Sequence, residues 1–265
     1  MNILRLSKTA LEIRRSPLPD GAILEFLRAG RVQDTLRLGP NQVHAGVTHA
    51  DGSYTDYGIS ENLLCTDGRD LIAASMGAAM VASNTATAVT ATSLTDSGET
   101  WTVNAYKGWT VWCDTAAGPV FANIGSNSAT VLTVDDWQSA DGTSATDPTG
   151  TPVYSIMPSC RPIYMGITAE ASAASAASTV LTTEQTANGL ARVKCTYAHS
   201  DDAATFTLAA AWTATGTVAS LHRIGLFTAA NTTAAGVLVF EAVLNADVSV
   251  VADDNISVTD TVTLS

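Results

Sequence analysis

The segment Ile256-Ser257-Val258-Thr259-Asp260-Thr261-Val262-Thr263-Leu264 alternates apolar and polar residues almost without a break. A period of two sends successive side chains to opposite faces of a strand, so this pattern demands one buried and one outward face. It does not fit an amphipathic helix, whose period is 3.6. Threonine suits such a strand because its branched Cβ packs on a pleated surface. Related runs occur at 163–167, 190–197, 205–212, 218–227 and 237–244, each bounded by turn residues. Their spacing predicts a C-terminal antiparallel β-sandwich, jelly-roll or immunoglobulin-like, over residues 159–265.

A second set of short alternating runs lies upstream. Thr100-Trp101-Thr102-Val103, Trp109-Thr110-Val111-Trp112-Cys113, Val120-Phe121-Ala122-Asn123-Ile124 and Ala129-Thr130-Val131-Leu132-Thr133-Val134 read as strands. Asp96-Ser97-Gly98, Ala116-Ala117-Gly118-Pro119 and Gly125-Ser126-Asn127 read as the turns between them. With Val153-Tyr154-Ser155-Ile156 they predict a small β-barrel-like module over 89–158, with 138–150 as an exposed loop. Trp101, Trp109, Trp137 and Trp212 occupy positions expected in the core, where a large ring closes a small β structure, in preference to a sugar-stacking platform.

Residues 61–88 predict a short helix and a small-residue linker. Thr66 or Asp67 is placed to cap the helix, Asp70 lies in its first turn, Leu71, Ile72 and Met76 form an apolar stripe, and Gly77 ends it. Gly77 to Ala88 is too small-sided to bury much. Residues 169–178, rich in Ala and Ser, fit a short helix or a joint. Residues 1–60 read as an extended N-terminal docking arm, punctuated by Ser16-Pro17-Leu18-Pro19-Asp20-Gly21, with Asp51-Gly52-Ser53-Tyr54 as a turn. Lys8, Arg14, Arg15, Arg28, Arg31 and Arg37 all precede residue 40, whereas the rest of the chain is strongly acidic. That asymmetry assigns Arg14, Arg15, Arg28, Arg31 and Arg37 to docking on an acidic surface.

A net charge of −12 argues against nucleic acid as a partner, because phosphate binding needs clustered cations. No apolar run reaches the length of roughly 18 residues that a spanning helix needs, and Glu12, Arg14 and Arg15 interrupt any leader-like segment, so neither membrane nor signal peptide is expected. Cys65, Cys113, Cys160 and Cys195 lack the paired spacing of a zinc site and read as buried free thiols, with disulfides left open. His44, His49, His199 and His222 have no catalytic motif around them, and His222 is expected to face outward from its strand. Asp135-Asp136, Asp201-Asp202 and Asp253-Asp254 are adjacent pairs whose side chains point apart on a strand, so they read as strand-end turns, not as catalytic dyads. Phosphate-loop, dinucleotide and hydrolase-elbow motifs are missing. The chain is therefore expected to be no enzyme and to use no cofactor.

Two stretches resemble accessory virion proteins of tailed bacteriophages. The first is Asn62-Leu63-Leu64-Cys65-Thr66-Asp67-Gly68-Arg69-Asp70-Leu71-Ile72-Ala73, followed by Ala91-Thr92-Ser93-Leu94-Thr95-Asp96-Ser97-Gly98-Glu99-Thr100-Trp101-Thr102 and by Ser126-Asn127-Ser128-Ala129-Thr130-Val131-Leu132-Thr133-Val134-Asp135-Asp136-Trp137. The second is Gly189-Leu190-Ala191-Arg192, then His222-Arg223-Ile224-Gly225-Leu226-Phe227 and Phe240-Glu241-Ala242-Val243-Leu244. Cys65 stands where that pattern more often has Thr or Ala, so no thiol chemistry carries over. The resemblance implies a structural virion protein, assembled in the host cytoplasm, that docks on the capsid surface or neck as a decoration, collar or head-fibre protein. It also implies a homo-oligomer, a trimer foremost, with major capsid or neck and tail proteins as partners. The alternative it leaves is a tail-fibre or baseplate module that recognises a host surface glycan.

Overall fold

The computed structural model describes residues 42–139, 145–230 and 236–263. Within them the chain runs through β1 (Gln42–Thr48), β2 (Tyr54–Leu64), helix α1 (Thr66–Gly77), β3 (Val81–Thr85), β4 (Ala88–Thr90), β5 (Ser93–Thr95), β6 (Thr110–Cys113), β7 (Val120–Asn127) and β8 (Val131–Val134). It continues through β9 (Gln138–Ser139), β10 (Val153–Met157), β11 (Tyr164–Thr168), β12 (Val193–Lys194), β13 (Thr196–His199), β14 (Thr205–Thr213), β15 (Val218–Phe227), β16 (Leu238–Val250) and β17 (Asn255–Thr263). Among the described residues the protein is mainly β, with one short helix, a nearly closed barrel-like sheet and a second antiparallel sheet.

The barrel-like sheet has nine strands in the order β12-β11-β15-β16-β2-β1-β17-β14-β13. Its two edge strands, β12 and β13, are separated in sequence by Cys195 alone. The sheet therefore curls until its ends nearly meet, which shields edges that would otherwise template aggregation. Register shifts between β15 and β16 and between β1 and β2 supply local bends. Strand β17 keeps the predicted alternation, with Ile256, Val258, Asp260 and Val262 inside. Val43, Val47, Leu208, Trp212, Leu221 and Val248 fill the same interior.

Residues 42–60 depart from the expected arm. β1 and β2 insert between β17 and β16, because Val43, Ala45 and Val47 alternate inward and complete the core. The turn at Asp51 does form: the Asp51 carboxylate accepts the Ser53 N–H at 2.9 Å, and Gly52 sits at φ 84°.

Helix α1 occupies the predicted place, although neither expected cap is used. Cys65 is the N-cap residue and makes no side-chain cap bond. Thr66 instead donates its hydroxyl to the Ala176 carbonyl at 2.8 Å, tying the helix start to the irregular 169–178 segment, which forms no helix. The expected stripe reduces to Leu71, since Met76 is 68% exposed. A Cβ on Gly68 would lie 2.6 Å from the Val239 carbonyl, so only glycine lets the helix approach β16 this closely.

The second sheet follows the order β3-β10-β6-β7-β8-β5-β4, with β9 pairing β7. The stretch expected as a linker contributes β3, which β10 pairs, and the start of β4, which β5 pairs. Thr100–Val103 is turn and irregular chain instead of a strand, yet Trp101 is buried, edge-on to Tyr106 and Tyr154. Gly125–Asn127 prolongs β7; the reversal falls at 128–130, where Ser128 Oγ accepts the Thr130 and Val131 N–H groups. Part of the expected 138–150 loop is β9, with Gln138 fully buried. Leu94, Ile124, Leu132, Trp137 and Ile156 form the core of this sheet. Gly108, at φ 85°, brings the sheet against Leu71 and Val237, which a Cβ would meet at 2.9 Å.

Candidate functional site

A concave feature lies where the barrel sheet fails to close and the second sheet abuts it. It is a cleft of about 530 Å³. Clefts between packed units and at barrel mouths are where small molecules are commonly held. One wall is Phe121 of β7 and Gln138 of β9, the floor is the 160–163 connection, and the other wall is Lys194 to Tyr197 with Phe206 and Leu208 of β14.

Arg161 is the central polar group. It follows Pro158 and precedes Pro162, a spacing that keeps the connection extended. Its guanidinium carbon lies 4.4 Å from the Phe121 ring centroid, a cation–π geometry. Phe121 is stacked with Trp112 at 6.2 Å. Nη2 of Arg161 donates to Gln138 Oε1 at 3.3 Å, while Nη1 is enclosed and has no hydrogen-bond partner. Across the cleft, Lys194 Nζ stands 3.8 Å from Asp136 Oδ2, and Tyr197 and Phe206 pair with ring centroids 5.7 Å apart.

Beside the cleft, a polar joint ties the two sheets. Asp135 accepts the Asn123 N–H at 2.7 Å and a hydrogen bond from Tyr164, and Asn123 Nδ2 donates to the Thr228 carbonyl at 2.7 Å. Burial pushes the Asp135 carboxyl up to about 7, against the opposing pull of these hydrogen bonds and of Arg161. Burial pulls the Arg161 guanidinium down from its ordinary value, but guanidinium remains the charged form at neutral pH.

All four cysteines are free thiols. Burial pushes each up to about 12, including Cys160 and Cys195 on the cleft wall. Thiols so little ionised are weak nucleophiles. The histidines are engaged in pairings: His44 with Asp56 at 2.8 Å, His49 with Asp254 at 3.2 Å, and His222 with Asp247 at 2.7 Å. His199 bonds the Thr205 carbonyl at 2.9 Å. His222 is half-buried by its partners, not fully outward as its strand position suggested. Asp201-Asp202 and Asp253-Asp254 do mark turns, with Asp202 at φ 67° and Asp253 at φ 70°, whereas Asp135-Asp136 follows β8 in irregular chain with Asp135 buried. Asp254 closes the turn before β17 by accepting the Val251 and Ala50 N–H groups, and these bonds, with His49, hold its carboxyl below the usual range.

Among the described residues, no group of three or more His, Cys, Asp or Glu is arranged to hold a metal ion, and no helix is long and apolar enough to cross a membrane. The predicted docking residues Arg14, Arg15, Arg28, Arg31 and Arg37 lie outside the described residues. Arg161, Gln138, Tyr197 and Phe206 carry no sequence signal as a set, because they come from four separate segments that only the fold assembles. Neither family models nor curated proteins nor solved structures offer a match to this chain.

Proposed function

We propose that this chain is a structural accessory protein of a tailed-phage virion, which docks on the capsid surface or neck as a decoration, collar or head-fibre protein and acts by assembly, not catalysis. The observation that carries this reading is the division of charge. Arg5, Lys8, Arg14, Arg15, Arg28, Arg31 and Arg37 face only four acidic residues before residue 40, Glu12, Asp20, Glu25 and Asp34. The β-rich remainder is acidic, and two of its cations, Arg192 and Arg223, are locked in buried ion pairs with Glu184 and Glu241. A cationic segment joined to an acidic, nearly closed β body suits attachment to an acidic lattice through one end while the body stays free.

Deleting residues 1–40 should abolish incorporation into particles while the β body keeps its near-native circular dichroism. A truncated protein recovered in particles at the full-length copy number would overturn the assignment of docking to that segment.

A further inference from the structure

Ser220 and His222 are two residues apart on β15, so both point to the face of the barrel sheet opposite the wholly buried Leu221. Beside them β16 carries extra residues: Leu221 pairs with Val248 but Arg223 pairs with Val243, which leaves 244–247 out of register. A bulge of this kind re-aims side chains, and here it brings Asp247 back to His222. Asp247 Oδ1 lies 2.7 Å from His222 Nδ1, and Ser220 Oγ lies 2.9 Å from His222 Nε2. A carboxylate only accepts, so the neutral imidazole carries its proton on Nδ1, and Nε2 offers a lone pair to the Ser220 hydroxyl. Hydroxyl, imidazole and carboxylate thus stand in the order in which a base activates a serine. Ser220 and His222 are half-buried and Asp247 is exposed, which leaves the group open to solvent.

We propose that Ser220 is a modification site, the acceptor of an acyl group from a carboxylic ester whose alcohol is a good leaving group. In the step, Ser220 Oγ bonds to the acyl carbon, and the bond from that carbon to the leaving oxygen breaks. His222 Nε2 takes the Ser220 proton and returns it to the departing oxygen, so an ester of Ser220 and a free alcohol form with no other reactant. Asp247 is a positioning residue that fixes the ring and its tautomer. Its Oδ2 also lies 3.2 Å from Ser220 Oγ, so the hydroxyl proton has two acceptors, with His222 at the shorter distance. The same order of groups recurs at Thr55, His49 and Asp254, at 3.0 and 3.2 Å. There, however, the hydroxyl is a crowded secondary one, and the carboxylate is already shared by the Ala50 and Val251 N–H groups. Ser249 supplies the contrast: it is exposed on β16, and its hydroxyl donates to the Ala219 carbonyl instead of to a base. The site is separate from the charge division on which the virion reading rests, and neither depends on the other.

The test is treatment of the full chain with p-nitrophenyl acetate at about pH 8, with peptide mapping by mass spectrometry to read acetylation residue by residue. Ser220 should be acetylated about tenfold or more faster than Ser249 in the native protein, and no faster than Ser249 in urea. His222→Gln should bring Ser220 down to the rate of Ser249. Asp247→Asn should slow it several-fold, and Asp247→Glu should recover part of the loss, a rescue that a merely structural role would not give. Should His222→Gln fail to fold, the two variants at the exposed Asp247, with unchanged melting temperatures, carry the test. The proposal is overturned if Ser220 is acetylated no faster than Ser249 in the native protein, if its advantage persists in urea, or if the variants that fold are acetylated like the wild type.

Discussion

Asp260 is fully buried in the barrel interior, and its environment lets a single substitution be worked through in numbers. It lies opposite Val43 of β1 and Leu208 of β14. Asn62 Nδ2 donates to Oδ2 at 2.7 Å, whereas Oδ1, Asn62 Oδ1 and Ser60 Oγ are enclosed without partners. Its field also pushes up the neighbouring Cys195 thiol, and no cation contributes to its surroundings. Burial raises the carboxyl from its ordinary 3.8 to about 7. The folded state thus holds a proton that the unfolded chain releases, and stability falls as pH rises from about 4 to about 7, then levels off. At 1.36 kcal/mol per decade the full cost above pH 7 is about 4 kcal/mol, of which about 2 kcal/mol accrues between pH 5.5 and neutrality. Asp135 is raised to the same region and adds a similar slope. Asp260→Asn removes the ionisation and supplies an amide donor for Ser60 Oγ or Asn62 Oδ1. In urea denaturation the wild type should lose about 4 kcal/mol between pH 5.5 and 8.5, and Asp260→Asn only about 2 kcal/mol. At pH 8.5 the variant should be the more stable protein. An unchanged pH slope, or a variant weaker than wild type at pH 8.5, would refute the reasoning.

Three other outcomes follow from packing. Glu241 is wholly buried, accepts from Arg223 and from the Ser175 N–H, and binds the 169–178 segment to β16; Glu241→Ala should cost about 3–5 kcal/mol by stranding Arg223, read as a fall in the urea midpoint. Trp137, fully buried with its indole N–H on the Thr90 carbonyl at 3.0 Å, should cost about 3–5 kcal/mol as Trp137→Ala, with lost near-ultraviolet dichroism as the readout. The three buried thiols, Cys65, Cys113 and Cys195, should react with a disulfide reagent far more slowly in the native protein at pH 8 than in urea, because burial keeps them protonated; rapid native labelling of Cys65 or Cys113 would contradict their burial.

Local pattern was legible wherever a segment carries its own period. β17 follows its alternation, the Asp51 hairpin follows its turn chemistry, and α1 lies where cap and stripe residues cluster. Partners were not legible. β1 pairs with β17 across some two hundred residues, and nothing in Val43, Ala45 and Val47 names that partner, so the segment reads as an arm. Trp101 reads as a strand residue because its neighbours alternate, although a turn buries it against Tyr154 just as well. The cleft needed the fold most: Arg161 meets Phe121, forty residues upstream, beside the seam that Cys195 leaves between β12 and β13.

The central claim, that the chain works as a component of a particle, is tested most directly by counting it there. Quantitative mass spectrometry of purified virions from a phage encoding this sequence should find it in fixed stoichiometry to the major capsid protein. On the order of hundreds of copies would mark a decoration protein repeated by capsid symmetry, and about a dozen a collar or neck protein. Particles that lack the chain while it accumulates free in the lysate would contradict the account.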